Sequence, residues 1–408
     1  MKIVILTQYF PPEMGAPQNR LLELALGLKK LNWEVQVITA LPNYPTGRIF
    51  EGYRGKVYVQ DEVLGITTHR YWLYPSKSSR AFPRIVSMLS FSLCVLASAF
   101  KLRKIRADYL LVESPPLPLG FSGWLLARFS GSKFMLNVSD LWPLSAKELG
   151  AISDGFLYKC LSRAESFLYA RADWCSGQSQ EIVDYILKQK TTHVLLFRNG
   201  VDTSRFEIPF TKEKKYKIVY AGLLGVAQGI LELCKSVDFK EMEVEFHIYG
   251  SGNEAEALEK YLLQFPDRGI NYKGTIERNA IPITLAQYDV ALIALVKNIY
   301  GAVPSKVYEA MAAGLPILFS GSGEGGRIIL ENELGWVNAP CDWSMLSQNI
   351  TRYKNLTDEE LSFMKNRVRR IAKEKFDRST QVLEFHKALM AGINQGSLSP
   401  LRLTKKSI

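Results

Sequence analysis

The sequence predicts an α/β protein built from two Rossmann-like, doubly wound parallel-sheet domains facing a cleft. Three observations carry that expectation. Short apolar runs alternate with helix-period segments along the chain, as successive βα units require. A length of 408 residues exceeds what one hydrophobic core usually fills. Between two such series lies Glu207-Ile208-Pro209-Phe210-Thr211-Lys212-Glu213-Lys214-Lys215, charged and with little periodicity, which reads as a linker.

In the first domain, residues 1–206, strands are expected at Ile3–Thr7, Val35–Thr39, Tyr109–Val112, Phe134–Val138 and Val194–Phe197. A helix is expected over Arg20–Leu31, because Leu21, Leu24, Ala25 and Leu28 recur at helical spacing. The second domain, 216–375, opens on the strand Lys217-Ile218-Val219-Tyr220-Ala221-Gly222. It continues through Phe246–Tyr249, Val290–Leu295 and Ile317–Phe319. Thr357-Asp358-Glu359-Glu360 reads as a capping box that opens a long helix. Residues 376–394 read as a last helix, and 395–408 as a basic tail expected to be disordered.

Hydrophobic content of 47% with 22% charged residues is ordinary for a globular protein, but a net charge of +11 is not. It implies anionic partners. Nucleic acid is disfavoured, since no zinc-finger, RNP-like or helix-turn-helix pattern occurs. Lys77, Arg80, Arg84, Lys101, Arg103, Lys104 and Arg106 instead bracket the apolar stretch Ile85 to Phe100, with no acidic residue in the interval. About sixteen apolar residues fall short of the ~20 that span a bilayer. Segment 77–106 therefore reads as an interfacial helix docking on an anionic membrane surface, or else as a buried core helix with solvated basic ends. Met1-Lys2-Ile3-Val4-Ile5-Leu6 reads as a first strand and not a signal peptide. Five scattered cysteines without a C-x-x-C fit a reduced, cytoplasmic compartment and offer no zinc site; the four histidines form no metal-spaced pair. No metal or other cofactor is expected.

The most informative segment is Pro304-Ser305-Lys306-Val307-Tyr308-Glu309-Ala310-Met311-Ala312-Ala313-Gly314-Leu315-Pro316. Ser305 is placed to cap a short helix, Gly314 to stop it in the left-handed conformation, and Pro316 to prevent its continuation. Lys306 and Glu309 then share one face at the helix N-terminus. That end attracts phosphate, and the carboxylate can accept from the two hydroxyls of a ribose. The same spacing also suits an ordinary surface ion pair.

This segment resembles the nucleotide-sugar motif of family-4 glycosyltransferases, retaining enzymes of the GT-B fold. Glu309 matches the second of that family's two glutamates, whereas Gly301 stands where the first is usual. The resemblance extends over nearly the whole chain. It implies that the C-terminal domain holds a UDP-sugar, that the N-terminal domain meets the acceptor, and that the last helix crosses back to the first domain. Gly15, in the loop that departs from G-x-G-x-x-G, would let backbone approach the donor phosphate. Gly222, Gly225 and Gln228 match the loop after the second domain's first strand, where Leu223 and Gln228 replace the usual Arg and Lys. Arg198, in Arg198-Asn199-Gly200-Val201-Asp202, and Arg327 become candidates for the missing charge, beside Lys306. Gly250 and Gly274 would lie near the base, and Ser305 at the phosphates. Arg20, Asp140 and Trp142 would face the acceptor, and Asp140 can equally cap the next helix. The run Ser320-Gly321-Ser322-Gly323-Glu324-Gly325-Gly326 reads as a flexible loop or an anion cradle. Asp140, Lys306 and Glu309 are the residues expected to carry catalysis.

The resemblance is strongest to a bacterial subgroup of surface-polysaccharide biosynthesis that includes L-fucosamine transferases. It implies transfer of a sugar, expected to be an N-acetylated amino sugar, from a UDP-sugar to a polyprenyl-diphosphate-linked glycan. Capsule, O-antigen and exopolysaccharide are the candidate products, made on the inner face of the cytoplasmic membrane. The alternatives are a non-hydrolysing UDP-sugar 2-epimerase and a non-catalytic GT-B-like subunit.

Overall fold

The computed structural model describes residues 1–78, 81–189, 193–210 and 215–394. These form two compact units. One comprises Met1–Arg198 together with the chain from Val382 onward, and the other Asn199–Gln381. The expected tail 395–408 lies outside the described residues, as do 211–214 of the expected linker and Arg80 of the basic cluster.

The first unit contains β1 (Lys2–Leu6), β2 (Glu34–Ala40), β3 (Tyr58–Val63), β4 (Ile66–Tyr71), β5 (Tyr109–Ser114), β6 (Lys133–Val138), β7 (Trp174–Gly177) and β8 (Val194–Leu196). They form one sheet in the order β3-β4-β2-β1-β5-β6-β7-β8. All neighbours are parallel except the β3–β4 hairpin. That hairpin turns at Leu64 (φ 48°) and Gly65 (φ 78°), the pair of positive φ values that a two-residue turn between twisted strands demands.

The second unit contains β9 (Lys217–Ala221), β10 (Glu245–Tyr249), β11 (Ile270–Tyr272), β12 (Val290–Ala294), β13 (Ile317–Ser320) and β14 (Gly335–Asn338). It is an all-parallel sheet in the order β11-β10-β9-β12-β13-β14. Alternation along the strands sends Ile218, Val290 and Leu292 to a core with Ile230, Leu233 and Ile350. Val219, Ala291 and Ile293 go to a second core with Val307, Met311 and Val368. Helices therefore cover both faces, as a doubly wound sheet requires.

The division falls at Arg198–Asn199, earlier than the expected linker at 207–215, and the reason is local pairing. Val201 donates to Phe376 O (3.0 Å) and accepts from Arg378 N (2.9 Å). Thr203 donates its backbone N–H to Asp377 Oδ2 at 3.1 Å and its hydroxyl at 2.5 Å. Phe206 is 3% exposed inside the second unit's core. The last helix, Arg378–Asn394, changes unit within its length. From Val382 onward it belongs to the first unit, where Val382, Phe385 and Leu389 pack with Leu21, Leu24 and Leu28.

At the amino edge of the second sheet, Asp289 and Lys365 are 0% and 2% exposed. Asp289 Oδ1 accepts from Lys365 Nζ (3.2 Å), and Oδ2 accepts from Lys215 N (2.7 Å), Lys217 N (3.2 Å) and the Tyr353 hydroxyl (3.0 Å). Removing one partner of a buried pair leaves the other charge uncompensated. Asp289→Ala is therefore expected to cost on the order of 3–5 kcal/mol, read from urea unfolding midpoints. A loss below about 1 kcal/mol would show that the pair does not hold this edge.

Candidate functional site

In each sheet the strand order reverses once at the centre, at β1/β5 and at β9/β12. Chains leaving adjacent parallel strands there run to opposite faces, and the gap at the carboxyl ends is where ligands bind in such sheets. The sequence-predicted site residues of each unit fall on that carboxyl edge.

In the second unit, the loop after β9 is strapped to its neighbours by backbone bonds. Gly222 N donates to Tyr249 O (2.9 Å), Leu224 N to Ser251 O (2.9 Å), and Val296 N, beyond β12, to Ala227 O (2.9 Å). Gly250 is required here: a Cβ on it would stand 1.7 Å from Gly222 O. Its N–H donates to Gly274 O (2.8 Å), so Gly222, Gly250 and Gly274 line three adjoining loops. Gln228 projects from the first of these, beside Gly225, and its Oε1 is buried with no hydrogen-bond partner among the described residues.

The helix Ser305–Ala312 follows β12. Val307, Tyr308, Ala310 and Met311 are buried, leaving Ser305, Lys306 and Glu309 on the half-buried outer face. Lys306 Nζ donates to Glu309 Oε2 at 3.0 Å, so the two side chains expected to hold a nucleotide diphosphate hold each other. Gly314 takes φ 72°, the left-handed stop expected of it. Ser305, however, is not the cap. Pro304 occupies the N-cap without a side-chain bond, and Ser305 is the first helical residue. The hydroxyl is thus displaced from capping, because the extended Pro304 already begins the turn. Gly301 adopts φ 86°, a conformation costly for a glutamate.

The glycine-rich run after β13 is also not a flexible loop throughout. Glu324, Gly325 and Gly326 form the first turn of the helix Glu324–Glu331, with Gly323 (φ 79°) at its N-cap. A Cβ on Gly325 would lie 3.6 Å from Pro304 Cδ, so the starts of the two helices adjoin. Arg327 is exposed on this helix.

In the first unit, Gly15 is the N-cap of the helix Ala16–Lys30 with φ 170°, extended backbone open to any residue. A Cβ there would meet only the flexible end of Gln18, so the fold itself does not require glycine. The loop before it is pinned by buried Glu13. Its Oε1 accepts from Asn43 N and Tyr44 N, both at 2.8 Å, and its Oε2 from Phe10 N at 3.2 Å. Arg20 is 2% exposed. It pairs with Glu113 and donates to Ser139 Oγ (2.9 Å) and Gln178 Oε1 (2.6 Å). Glu113 Oε2 also accepts from Asn137 Nδ2 at 2.5 Å. Arg20 is thus engaged by the ends of β5, β6 and β7. Sequence reasoning missed Glu13 and Glu113. The only signal for Glu113 is a carboxylate closing an otherwise apolar strand run.

Asp140 follows β6, and its Oδ2 accepts from the Ser145 hydroxyl at 2.9 Å. Burial raises its pKa against that bond and one from the Leu141 N–H. Trp142 stands half-buried two residues on, and Arg198 half-buried beyond β8. Glu165, buried nearby, accepts from the hydroxyls of Tyr169 (2.7 Å) and Tyr185 (3.3 Å). Burial pushes its pKa up to about 7; the two hydroxyls oppose the shift and the Asp140 charge adds to it. Among the described residues no group of three or more His, Cys, Asp or Glu side chains could hold a metal ion.

One helical run, Phe82–Ile105, is long and apolar enough to cross a membrane, with 24 residues against the sixteen expected. The difference arises because the helix Ala81–Cys94 continues through a 3-10 turn, Val95–Ser98, into Ala99–Ile105. Its two sides differ. Phe91, Val95, Ser98 and Leu102 are buried, with the Ser92 carbonyl accepting from Ser122 Oγ (2.6 Å) of the helix Leu117–Ser130. Phe82 (75% exposed), Ile85, Leu89, Leu93 (68%) and Phe100 (73%) form the opposite stripe, at helical spacing.

Residues 15–200 match the family described as glycosyl transferase 4-like domain, and residues 202–371 the family described as glycosyl transferases group 1. The chain is 28% identical over 282 residues to WbjE of Pseudomonas aeruginosa, assigned as a glycosyltransferase, covering 65% of this chain and 69% of that one. It is 25% identical over 334 residues to WcaI of Escherichia coli K12, a glycosyl transferase assigned to colanic acid biosynthesis, covering 77% and 82%. Among solved structures, sucrose-phosphate synthase of Thermosynechococcus elongatus aligns with a TM-score of 0.72 at 15% identity, over 97% of this chain and 100% of that one. Anabaena HepE in complex with UDP and glucose aligns with a TM-score of 0.66 at 15% identity, over 96% and 100%. These neighbours share the GT-B fold, two parallel-sheet α/β domains.

The Glu165 shift makes stability depend on pH. Its carboxyl is raised from an ordinary 4.5 to about 7, so its favourable contribution is complete below pH 4.5 and lost as pH rises through 7. Glu165→Gln does not titrate. The melting temperature of the variant relative to wild type is expected to rise between pH 5 and pH 8, by the equivalent of at most ~3 kcal/mol. A pH-independent difference would mean that Glu165 is ionised in the folded protein throughout.

Proposed function

Because residues 15–200 and 202–371 match two glycosyltransferase families, we propose that the chain transfers a sugar from a UDP-sugar to a polyprenyl-diphosphate-linked glycan, with retention at the anomeric carbon. The product is a bacterial surface polysaccharide. Colanic acid biosynthesis is the process to which the relative WcaI is assigned, and UDP is the ligand bound by the structural neighbour HepE, which is the support for this reading. The observation that carries it is the Lys306–Glu309 pair at a helix start on the carboxyl edge, where the second sheet reverses its order.

In this reading the ribose hydroxyls replace Lys306 as the partner of Glu309, and the freed ammonium turns to the diphosphate. Ser305 and the helix N-terminus add donors to the same anion. The buried Gln228 Oε1 accepts from the donor, and an N-acetylated amino sugar offers an amide N–H for it. The bond from the anomeric carbon to the diphosphate oxygen breaks as the acceptor oxygen bonds on the same face. The acceptor's proton passes to the departing diphosphate oxygen. The enzyme supplies no nucleophile and needs no metal, and its contribution is stabilisation of charge developing on the leaving group. Asp140, with its raised pKa, bonds acceptor hydroxyls beside the Trp142 ring.

The stripe Phe82, Ile85, Leu89, Leu93 and Phe100 lies in the membrane interface, while its packed side keeps the helix on the domain. On this reading the protein sits peripherally on the inner face of the cytoplasmic membrane.

Lys306→Ala and Glu309→Ala are each expected to weaken UDP binding by ~1–3 kcal/mol in calorimetry, the range for charge-assisted hydrogen bonds. Unchanged affinity in both would remove the donor site from this helix. Replacing Arg103, Lys104 and Arg106 with Ser is expected to release the protein from anionic vesicles at physiological salt. Persistent flotation of that variant would place docking elsewhere.

A further inference from the structure

The loop after β2 and the chain after β4 border an open cavity of about 820 Å³ on the first unit. Arg48, Arg54 and Lys77 line it against one carboxylate, Glu51, and Ile49 and Phe50 supply apolar wall. Glu51 is paired with Arg54 at 3.8 Å. The Arg48 guanidinium and the Lys77 ammonium have no partner among the described residues.

The cations are exposed, but the backbone that carries them is held in place. Gly47 (φ 66°) lets the loop pass so close to Lys77 that a Cβ would stand 2.3 Å from Lys77 N. The same loop is held from below, since Asn43 N and Tyr44 N both donate to buried Glu13. Its position matters as much as its charge. From Lys77 the chain reaches Ala81, where the helix with the exposed apolar stripe begins, in four residues, a span of at most ~14 Å. Arg84, in that helix's first turn, lies near Tyr9: burial raises the Tyr9 pKa and the Arg84 charge opposes the shift, and the Tyr9 ring meets Tyr44 edge-on at 5.9 Å. An open pocket with two unpaired cations, Arg48 and Lys77, thus lies four residues along the chain from the helix that carries the apolar stripe.

We propose that this cavity seats the diphosphate of a lipid-linked acceptor, with Arg48 and Lys77 as its main ligands. The isoprenoid chain leaves along Phe82, Ile85, Leu89 and Leu93. The proposal rests on the reading that the acceptor is a polyprenyl-diphosphate-linked glycan, and it names the residues that hold the head group. A diphosphate ester matches the excess of positive charge, and Arg and Lys are the side chains that bind such oxygens. An apolar tail joined to the anion matches the stripe that starts beside it. A free phosphate matches only the first of these features.

The test uses the full chain with farnesyl diphosphate as probe, and inorganic pyrophosphate and farnesol as controls. UDP binding is measured in parallel. Wild type is expected to bind farnesyl diphosphate at least tenfold more tightly than either control. The exposed double substitution Arg48→Ser with Lys77→Ser is expected to weaken that binding at least tenfold, leaving UDP affinity and melting temperature unchanged. If the double variant binds farnesyl diphosphate as wild type does, the diphosphate sits elsewhere; the subsite is overturned while the lipid-acceptor reading stands. If pyrophosphate binds as tightly as farnesyl diphosphate and both are lost in the variant, the cavity is a site for free phosphate and the proposal fails. If wild type binds UDP but no farnesyl diphosphate, both the subsite and the lipid-acceptor reading fall.

Discussion

The feature on which the rest depends is a topological constraint: within each unit a parallel sheet reverses its strand order once. Right-handed crossovers then send the chain from β9 to one face and from β12 to the other, and the loops that leave both strands line the carboxyl ends between them. Every loop able to meet a ligand starts on that edge. The apolar cores on the two faces fix how far the helices stand from it. The buried Asp289–Lys365 pair lies on the opposite edge, so stability and chemistry occupy opposite ends of the same strands.

The two carboxyl edges are furnished differently. In the first unit, Arg20 is bonded by Glu113, Ser139 and Gln178, and Glu113 also accepts from Asn137, a network that ties the ends of three strands together. In the second, Gln228 Oε1 has no partner among the described residues, and Lys306 and Glu309 meet in a half-exposed pair worth little in water. Such a pair is easily exchanged for better hydrogen bonds. The cross-linked strand ends of the first unit suit positioning, and the exchangeable Lys306–Glu309 pair of the second suits binding.

Much of this was legible in the sequence. The strands β1, β2, β5, β6, β9, β12 and β13 are apolar runs flanked by helical periods, and their burial makes them visible. The Lys306–Glu309 face followed from a spacing of three and from the Gly314 stop. What escaped has physical causes. β3 alternates exposed and half-buried residues in Tyr58–Val63, and β7 is four residues long, so neither presents an apolar run. The cap at Pro304 and not Ser305, and the helix starting at Glu324, depend on backbone angles that composition does not encode. Glu13 and Glu113 act through partners remote in sequence, Asn43 and Arg20, which only the fold brings together. The unit boundary shifted for the same reason, since Val201 pairs with chain near Asp377.

The central claim is that the carboxyl edge at β9/β12 is the nucleotide site. Hydrogen–deuterium exchange on the full chain, with and without saturating UDP, tests it most directly. The account predicts protection concentrated in peptides spanning 222–229, 249–252 and 304–312. Bound UDP that leaves those three segments unprotected, or that protects the first unit alone, would contradict it.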